Sequence, residues 1–193
     1  MKSYIQIGYA LSLTFLLSGF LILAAEGQDL HPAGLREDFA VGTTPQNLAF
    51  DGANIWVTNL ADGTVTKLRA SDGELQGTFS IGSSPNDIVF DGANIWVSHT
   101  DSSGGHLTKL RASDGVVLGT FAANGAWGLA FDGTNILVAN RGFGTITKLR
   151  ASDGQFQGLY LVDPEPEFLT IVKDNLWVGF NHADTVQEVR LSD

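Results

Sequence analysis

The sequence predicts an all-β fold, a β-propeller of four four-stranded blades, and three observations carry that expectation. The string Phe-Asp-Gly-Ala-Asn-Ile-Trp-Val stands at Phe50–Val57 and again at Phe90–Val97, with a near copy at Phe131–Val138 and a degraded one at Ile171–Val178. A second string, Thr-Lys-Leu-Arg-Ala-Ser-Asp-Gly, begins at Thr66, Thr108 and Thr147. The equivalent aromatic positions Phe39, Phe79, Phe121 and Tyr160 fall 40, 42 and 39 residues apart, the spacing of one supersecondary unit repeated in tandem.

Within the first unit four short runs rich in Ile, Val, Thr, Phe and Trp read as strands: Asn47–Asp51, Asn54–Asn59, Thr64–Arg69 and Leu75–Gly82. The breaks between them are Asp51-Gly52, Asp62-Gly63 and Asp72-Gly73. Asp-Gly between apolar runs marks a tight turn, because Gly accepts the positive φ that such turns demand. Four strands in some 40 residues, repeated, match propeller blades. Helical repeats are excluded because no stripe of period 3.6 appears, and leucine-rich repeats are shorter.

The repeat is out of phase with the ends of the domain. Leu35–Gly42 aligns with Leu75–Gly82, a fourth strand, and Thr185–Arg190 aligns with Thr64–Arg69, a third strand. The expected solution pairs Leu35–Gly42 with Val186–Leu191, which would hide two edges that otherwise invite association. Two readings stay open: a closed four-bladed ring, or a half-ring that a second copy of the chain completes to eight blades.

Met1–Ala25 carries one charge, Lys2, followed by a long apolar run that ends in Ala24-Ala25. This is the pattern of a secretory signal, and the same stretch, residues 4–25, is long enough to act as an uncleaved anchor. The expected organisation is therefore a leader at 1–25, a linker at 26–34 and a propeller domain at 35–193, placed in the periplasm or outside the cell. There is no cysteine, so disulfides and thiolate metal sites are excluded despite the oxidising compartment. A formal net charge of −10 argues against nucleic acid and against an anionic membrane surface as partners.

Because the units are near copies, the chain serves as its own control. The turns after strands one and three are nearly constant, and their aspartates read as turn chemistry in preference to a calcium ring. Lys67, Lys109 and Lys148, with Arg69, Arg111 and Arg150, alternate with leucines and read as the wet side of a half-buried strand. Trp56, Trp96 and Trp177 occupy equivalent strand-two positions and read as core between blades. The opposite face varies. The residues that begin the innermost strands are Gln46-Asn47, Asn86-Asp87, Trp127-Gly128 and Glu167-Phe168. They are expected to ring the mouth of the central channel, with Trp127 beside Phe168. The turns between strands two and three add Arg141, His99, His106 and His182 to that face. Variation on a rigid repeating frame is what a specific site requires. The candidate ligand-binding residues are therefore Gln46, Asn47, Asn86, Asp87, Trp127, Arg141, Glu167 and Phe168. A metal held by His99 and His182 with Asp87 or Glu167 is the weaker candidate, since no close ligand spacing supports it. Nothing reads as a nucleophile elbow, a phosphate loop or a catalytic triad.

Ile55-Trp56-Val57-Thr58-Asn59, followed by Gly63–Leu68, Gly77–Gly82 and Pro85, resembles the YVTN-type β-propeller repeat. The likeness runs over nearly all of Leu35–Asp193 and extends to NHL and streptogramin-lyase-like propellers. Those families usually close with six or seven blades, so four is a departure. The resemblance implies an exported bacterial protein with a binding or surface role. The lyase relatives imply a histidine-centred, metal-dependent site, which does not map residue by residue onto His99, His106 or His182. The function expected is a non-catalytic binding or interaction scaffold for a protein or small molecule, without a cofactor. The alternative is a metal-dependent lyase or hydrolase using His99, His182, Asp87 and Glu167.

Overall fold

The computed structural model describes residues 37–100 and 104–191. The expected leader, the linker and the first two residues of the expected N-terminal strand lie outside the described residues. The chain divides into two units, 1–38 and 39–193, and the second holds every described strand.

Blade one is β1 (Pro45–Phe50), β2 (Asn54–Asn59), β3 (Thr64–Arg69) and β4 (Leu75–Ser80). Blade two is β5 (Pro85–Phe90), β6 (Asn94–His99), β7 (His106–Arg111) and β8 (Val117–Ala122). Blade three is β9 (Ala126–Phe131), β10 (Asn135–Asn140), β11 (Thr145–Arg150) and β12 (Phe156–Leu161). Blade four is β13 (Pro166–Val172), β14 (Asn175–Phe180) and β15 (Val186–Arg190). Each is an antiparallel meander in sequence order, three of four strands and the last of three. The fold is an all-β propeller of four blades, as the repeat implies.

The closing strand differs from expectation. Among the described residues, 37–42 lie outside any strand and β15 has no fourth neighbour in its sheet. The innermost strands pack in the series β1, β5, β9, β13, and β13 does not return to pack on β1. The four blades form an arc. What survives of the expected strand is Phe39, whose ring lies over Gly73 of blade one. Phe79 lies the same way over Gly115, and Phe121 over Gly154. A Cβ at any of these glycines would overlap the ring, and each glycine also has positive φ, +69°, +73° and +73°. The Asp-Gly turn is thus required twice over, by backbone conformation and by the aromatic ring laid against it.

Middle strands of blades two and three are buried on both faces because each of these blades lies between two others. Trp56, Val65, Ile81, Ile88, Ile95, Val97 and Leu110 form one core between blades one and two. Trp96, Leu107, Leu129, Ile136 and Leu149 form the next, and Leu137, Ile146, Leu176 and Val178 the third. Each fully buried aliphatic side chain contributes about 1.5–3 kcal/mol. Trp56 stacks on Phe79 at 5.6 Å between centroids, and Trp96 packs on Phe121 at 4.9 Å.

Two polar devices accompany each of these tryptophans. Asp51 accepts the N–H groups of Ala53 and Asn54 and, at 2.7 Å, the Trp56 indole N–H. Asp91 does the same for Ala93, Asn94 and Trp96. Turn chemistry therefore accounts for these aspartates. Burial alone would raise Asp51, but the hydrogen bonds from Trp56, Ala53 and Asn54 outweigh it and hold the carboxyl below its usual value. The second device corrects the reading of the lysines. Lys67 and Lys109 are 8% and 6% exposed. Lys67 lies over the Trp56 ring and donates at 2.7 Å to the Ala112 carbonyl of blade two. Lys109 lies over Trp96 and donates at 2.6 Å to the Ala151 carbonyl of blade three. Each buried lysine lies against an indole face and donates to turn carbonyls of the next blade, so it ties one blade to the next. Only the neighbouring arginines face water, where Arg69, Arg111 and Arg150 pair with Asp72, Asp114 and Asp153. Trp177 also departs from its expected place, being 37% exposed on the free face of blade four.

Gly115→Ala should cost about 2–4 kcal/mol, since it strains the turn and displaces Phe79. Gly133→Ala, at a turn whose Cβ position is open, should cost only about 1–2 kcal/mol, from positive φ alone. Urea unfolding of the two variants checks the difference. Asp51→Ala should destabilise the fold by about 1–3 kcal/mol, and Asp132→Ala by less, because Leu137 replaces the tryptophan there and asks nothing of Asp132.

Candidate functional site

Every blade enters its inner strand through one residue of positive φ. These are Thr44, Ser84, Gly125 and Glu165, at φ 57°, 54°, 71° and 60°. The carbonyl of each accepts the N–H of the residue just after strand two: Leu60, Thr100, Arg141 and Asn181. This clamp brings the strand-two turn against the start of strand one. It is the local reason that the variable residues of both loops gather on one face.

The predicted mouth residues do come together. Asn47, Asn86, Asp87, Trp127, Glu167 and Phe168 line one cavity of about 190 Å³ with Gly128 and Leu169. The floor is tight, because a Cβ on Gly128 would overlap the Glu167 carbonyl. Several of these side chains are already engaged. Asn47 donates at 3.2 Å to the Asn86 carbonyl, which also accepts the Thr58 hydroxyl at 2.8 Å. Asn86, 7% exposed, donates to the Trp127 carbonyl at 3.4 Å, and the Ser98 hydroxyl reaches the same carbonyl at 2.6 Å. Asp87 accepts from Leu129 N–H at 2.7 Å and Ile88 N–H at 2.8 Å. Asn47, Asn86 and Asp87 are thus inter-blade clasps whose flanks face the cavity. Burial pushes Asp87 above the usual carboxylate value, and the two backbone N–H groups offset part of that rise.

Arg141 and Gln46 lie outside that cavity's lining. Arg141 opens a 3-10 turn, Arg141–Phe143, closed by Gly144 in the left-handed conformation. The turn places its guanidinium 4.2 Å from the Trp127 ring centroid. It stands 3.8 Å from Glu165 and 4.0 Å from Glu167, beyond hydrogen-bond reach of both. The Oε2 atoms of both glutamates are buried and accept no hydrogen bond. A second hollow of about 350 Å³ shares Trp127 and Arg141 and is lined further by Thr100, Phe143 and Glu165. The site is therefore an indole–guanidinium platform edged by two carboxylates with spare acceptor capacity. Glu165 was missed by sequence reasoning. Its signal was present in Pro164-Glu165-Pro166, where an acidic residue takes the entry position that Thr, Ser or Gly holds in the other blades.

The histidines do not form a metal centre. His99 is fully buried. Its Nδ1 donates to the Ser83 carbonyl at 2.8 Å, and Nε2 meets the Thr108 hydroxyl at 2.9 Å, so both nitrogens are occupied. Its ring stacks on His106 at 4.1 Å, nearly parallel. In blades one and three Asn59 and Asn140 hold this position, bridging Thr64 to Thr66 and Thr145 to Thr147. His99 is thus a structural variant of a repeated polar bridge, not a loop histidine. His182 is 78% exposed, 3.8 Å from Glu165. Among the described residues no group of three His, Cys, Asp or Glu is placed to hold a metal, and no helix is long and apolar enough to cross a membrane.

Asp87→Asn supplies a pH test. Its folded pKa lies above the unfolded value, so ionisation opposes folding at neutral pH. That penalty fades as pH falls through the folded value toward the unfolded one. The stability of wild type relative to the Asp87→Asn variant should therefore rise between neutral pH and the ordinary carboxylate range. Urea midpoints at several pH values check the sign.

No family model matches the chain, and no curated protein matches it. Solved structures do. The computationally designed Ika4 protein is 17% identical with a TM-score of 0.67, over 79% of this chain and 94% of that one. Hydrazine synthase of Kuenenia stuttgartiensis is 15% identical with a TM-score of 0.69, over 83% and 50%. A functionally unknown protein from Desulfotomaculum acetoxidans is 13% identical with a TM-score of 0.70, over 80% and 54%. The chain spans about half of the last two. At these identities the likeness establishes the propeller fold alone.

Proposed function

We propose that the protein is an exported propeller of the YVTN type. On this reading it acts as a non-catalytic binding scaffold, and its ligand meets the variable face at Trp127, Arg141, Glu165 and Glu167. One observation carries the reading: positions that differ between otherwise matching blades line two hollows that share Trp127, and a buried carboxylate oxygen in each, of Glu167 and of Glu165, accepts no hydrogen bond. A buried acceptor left unmade is costly, so a ligand that donates to it is rewarded. The chemistry that fits is a small group with N–H donors, an amine or guanidinium on a ligand or on a partner's side chain, that reaches the two carboxylates beside the Arg141 guanidinium already lying over the indole. The leader-like segment at Met1–Ala25 and the YVTN-like Ile55–Asn59 support export and family in the same sense.

Fluorescence titration with methylguanidine, agmatine and ethylamine tests this. At least one should perturb the tryptophan emission saturably. Glu167→Gln should weaken that binding about tenfold, and Trp127→Ala should remove the signal. No saturable response to any of the three would refute the assigned chemistry.

A further inference from the structure

We propose that two copies of this chain join head to tail, the free face of blade four against the free face of blade one, to make a closed ring of eight blades.

The two end faces of the arc are halves of an interface that the molecule already builds three times. On the blade-one side, Leu48 and Phe50 are 68% and 57% exposed. Their counterparts one blade on are Ile88, 5% exposed, and Phe90, partly buried in the core between blades one and two. On the blade-four side, Trp177 is 37% and Val186 62% exposed, whereas Trp56 and Val65, at the same positions in blade one, are both fully buried. One end shows what a preceding blade would cover, and the other what a following blade would cover. Phe39 adds a lock. Phe79 and Phe121 each lie over a turn glycine of the next blade while packing on a tryptophan of their own blade. Phe39 already lies over its glycine, Gly73, and Trp177 of a second copy is the tryptophan it lacks. The same segment could lie beside β15 of that copy, whose sheet has three strands where its neighbours have four.

The free face of blade four has exchanged polar ties for apolar surface. Val172 stands where Asp51 holds an indole, Phe168 where Asn47 clasps the next blade, and Gly179 where Thr58 does. Val172 and Phe168 are 50% and 64% exposed. With Trp177 and Val186 they share one face of the sheet, and exposed apolar surface of this kind marks an interface. Glu188 occupies the position of the bridging Lys67, so this seam closes by apolar contact without the lysine tie.

Copy number follows from closure. A heterologous, head-to-tail contact gives a ring where the rotation closes and a filament where it does not. Propellers close with about four to eight blades; for a four-bladed arc that does not meet itself, a pair stays within that range and a third copy would exceed it.

Sedimentation velocity of the full chain, from nanomolar to micromolar concentration, reads the outcome. The account expects a species of twice the chain mass. Leu48→Asp and Val186→Asp change residues already exposed in the single chain, so each should stay folded by circular dichroism and raise the dimer dissociation constant about tenfold or more. Mixing the two variants leaves one seam wholly intact, so the pair should dimerise better than either variant alone. A monomer at every concentration, or filaments, would overturn the proposal. So would a dimer that only one of the two substitutions weakens, because that result means a face-to-face contact and no ring.

Discussion

A blade of this sequence is apolar on both faces and can bury them only against another blade. The architecture follows from that constraint. Val, Ile, Leu and Trp on strands two and three have no solvent side, which is why those strands are buried almost throughout while β4, β8 and β12 alternate. The interface is apolar in bulk but polar at its fixed points. A carboxylate holds the indole, an ammonium crosses the indole face to the next turn, and an aromatic ring caps the glycine of that turn. Each polar group is satisfied across a defined geometry, so the contact specifies register as well as burying area.

The repeat made the fold legible. Strand two and strand three were readable to the residue because Asp-Gly and the motif boundaries bracket them. What periodicity could not convey was orientation. Alternation with leucine places Lys67 on the face opposite Leu68, and in a sheet exposed on one side that face is wet. Here it is the next interface, so the lysine is buried. The closing strand failed for a related reason. Alignment says what Phe39 matches, and it does lie over its turn glycine, but pairing with β15 requires the two ends of the arc to meet, and ring curvature is not written in a local string.

The site was legible where variation between blades reports it. Asn47, Asn86, Asp87, Trp127, Glu167 and Phe168 were found by comparing the chain with itself, and they share a cavity. The same comparison could not separate residues that clasp blades from residues that keep spare polar capacity. Asn86 and Asp87 differ from blade to blade, yet both are engaged by the backbone of blade three. Glu165 and Glu167 differ and keep spare acceptors. His99 misled in the opposite sense. It looked like a loop ligand but substitutes for the asparagine that bridges two threonines in the neighbouring blades.

Hydrogen exchange of the four tryptophan indole N–H groups, followed by nitrogen-15 NMR, addresses the inter-blade interface directly. The aspartate bonds predict that Trp56 and Trp96 exchange slowly, near the rate of global unfolding, while Trp127 exchanges fast at the mouth. Rapid exchange of Trp56 and Trp96, at the rate of Trp127, would contradict the interface described here and the ring proposed from it.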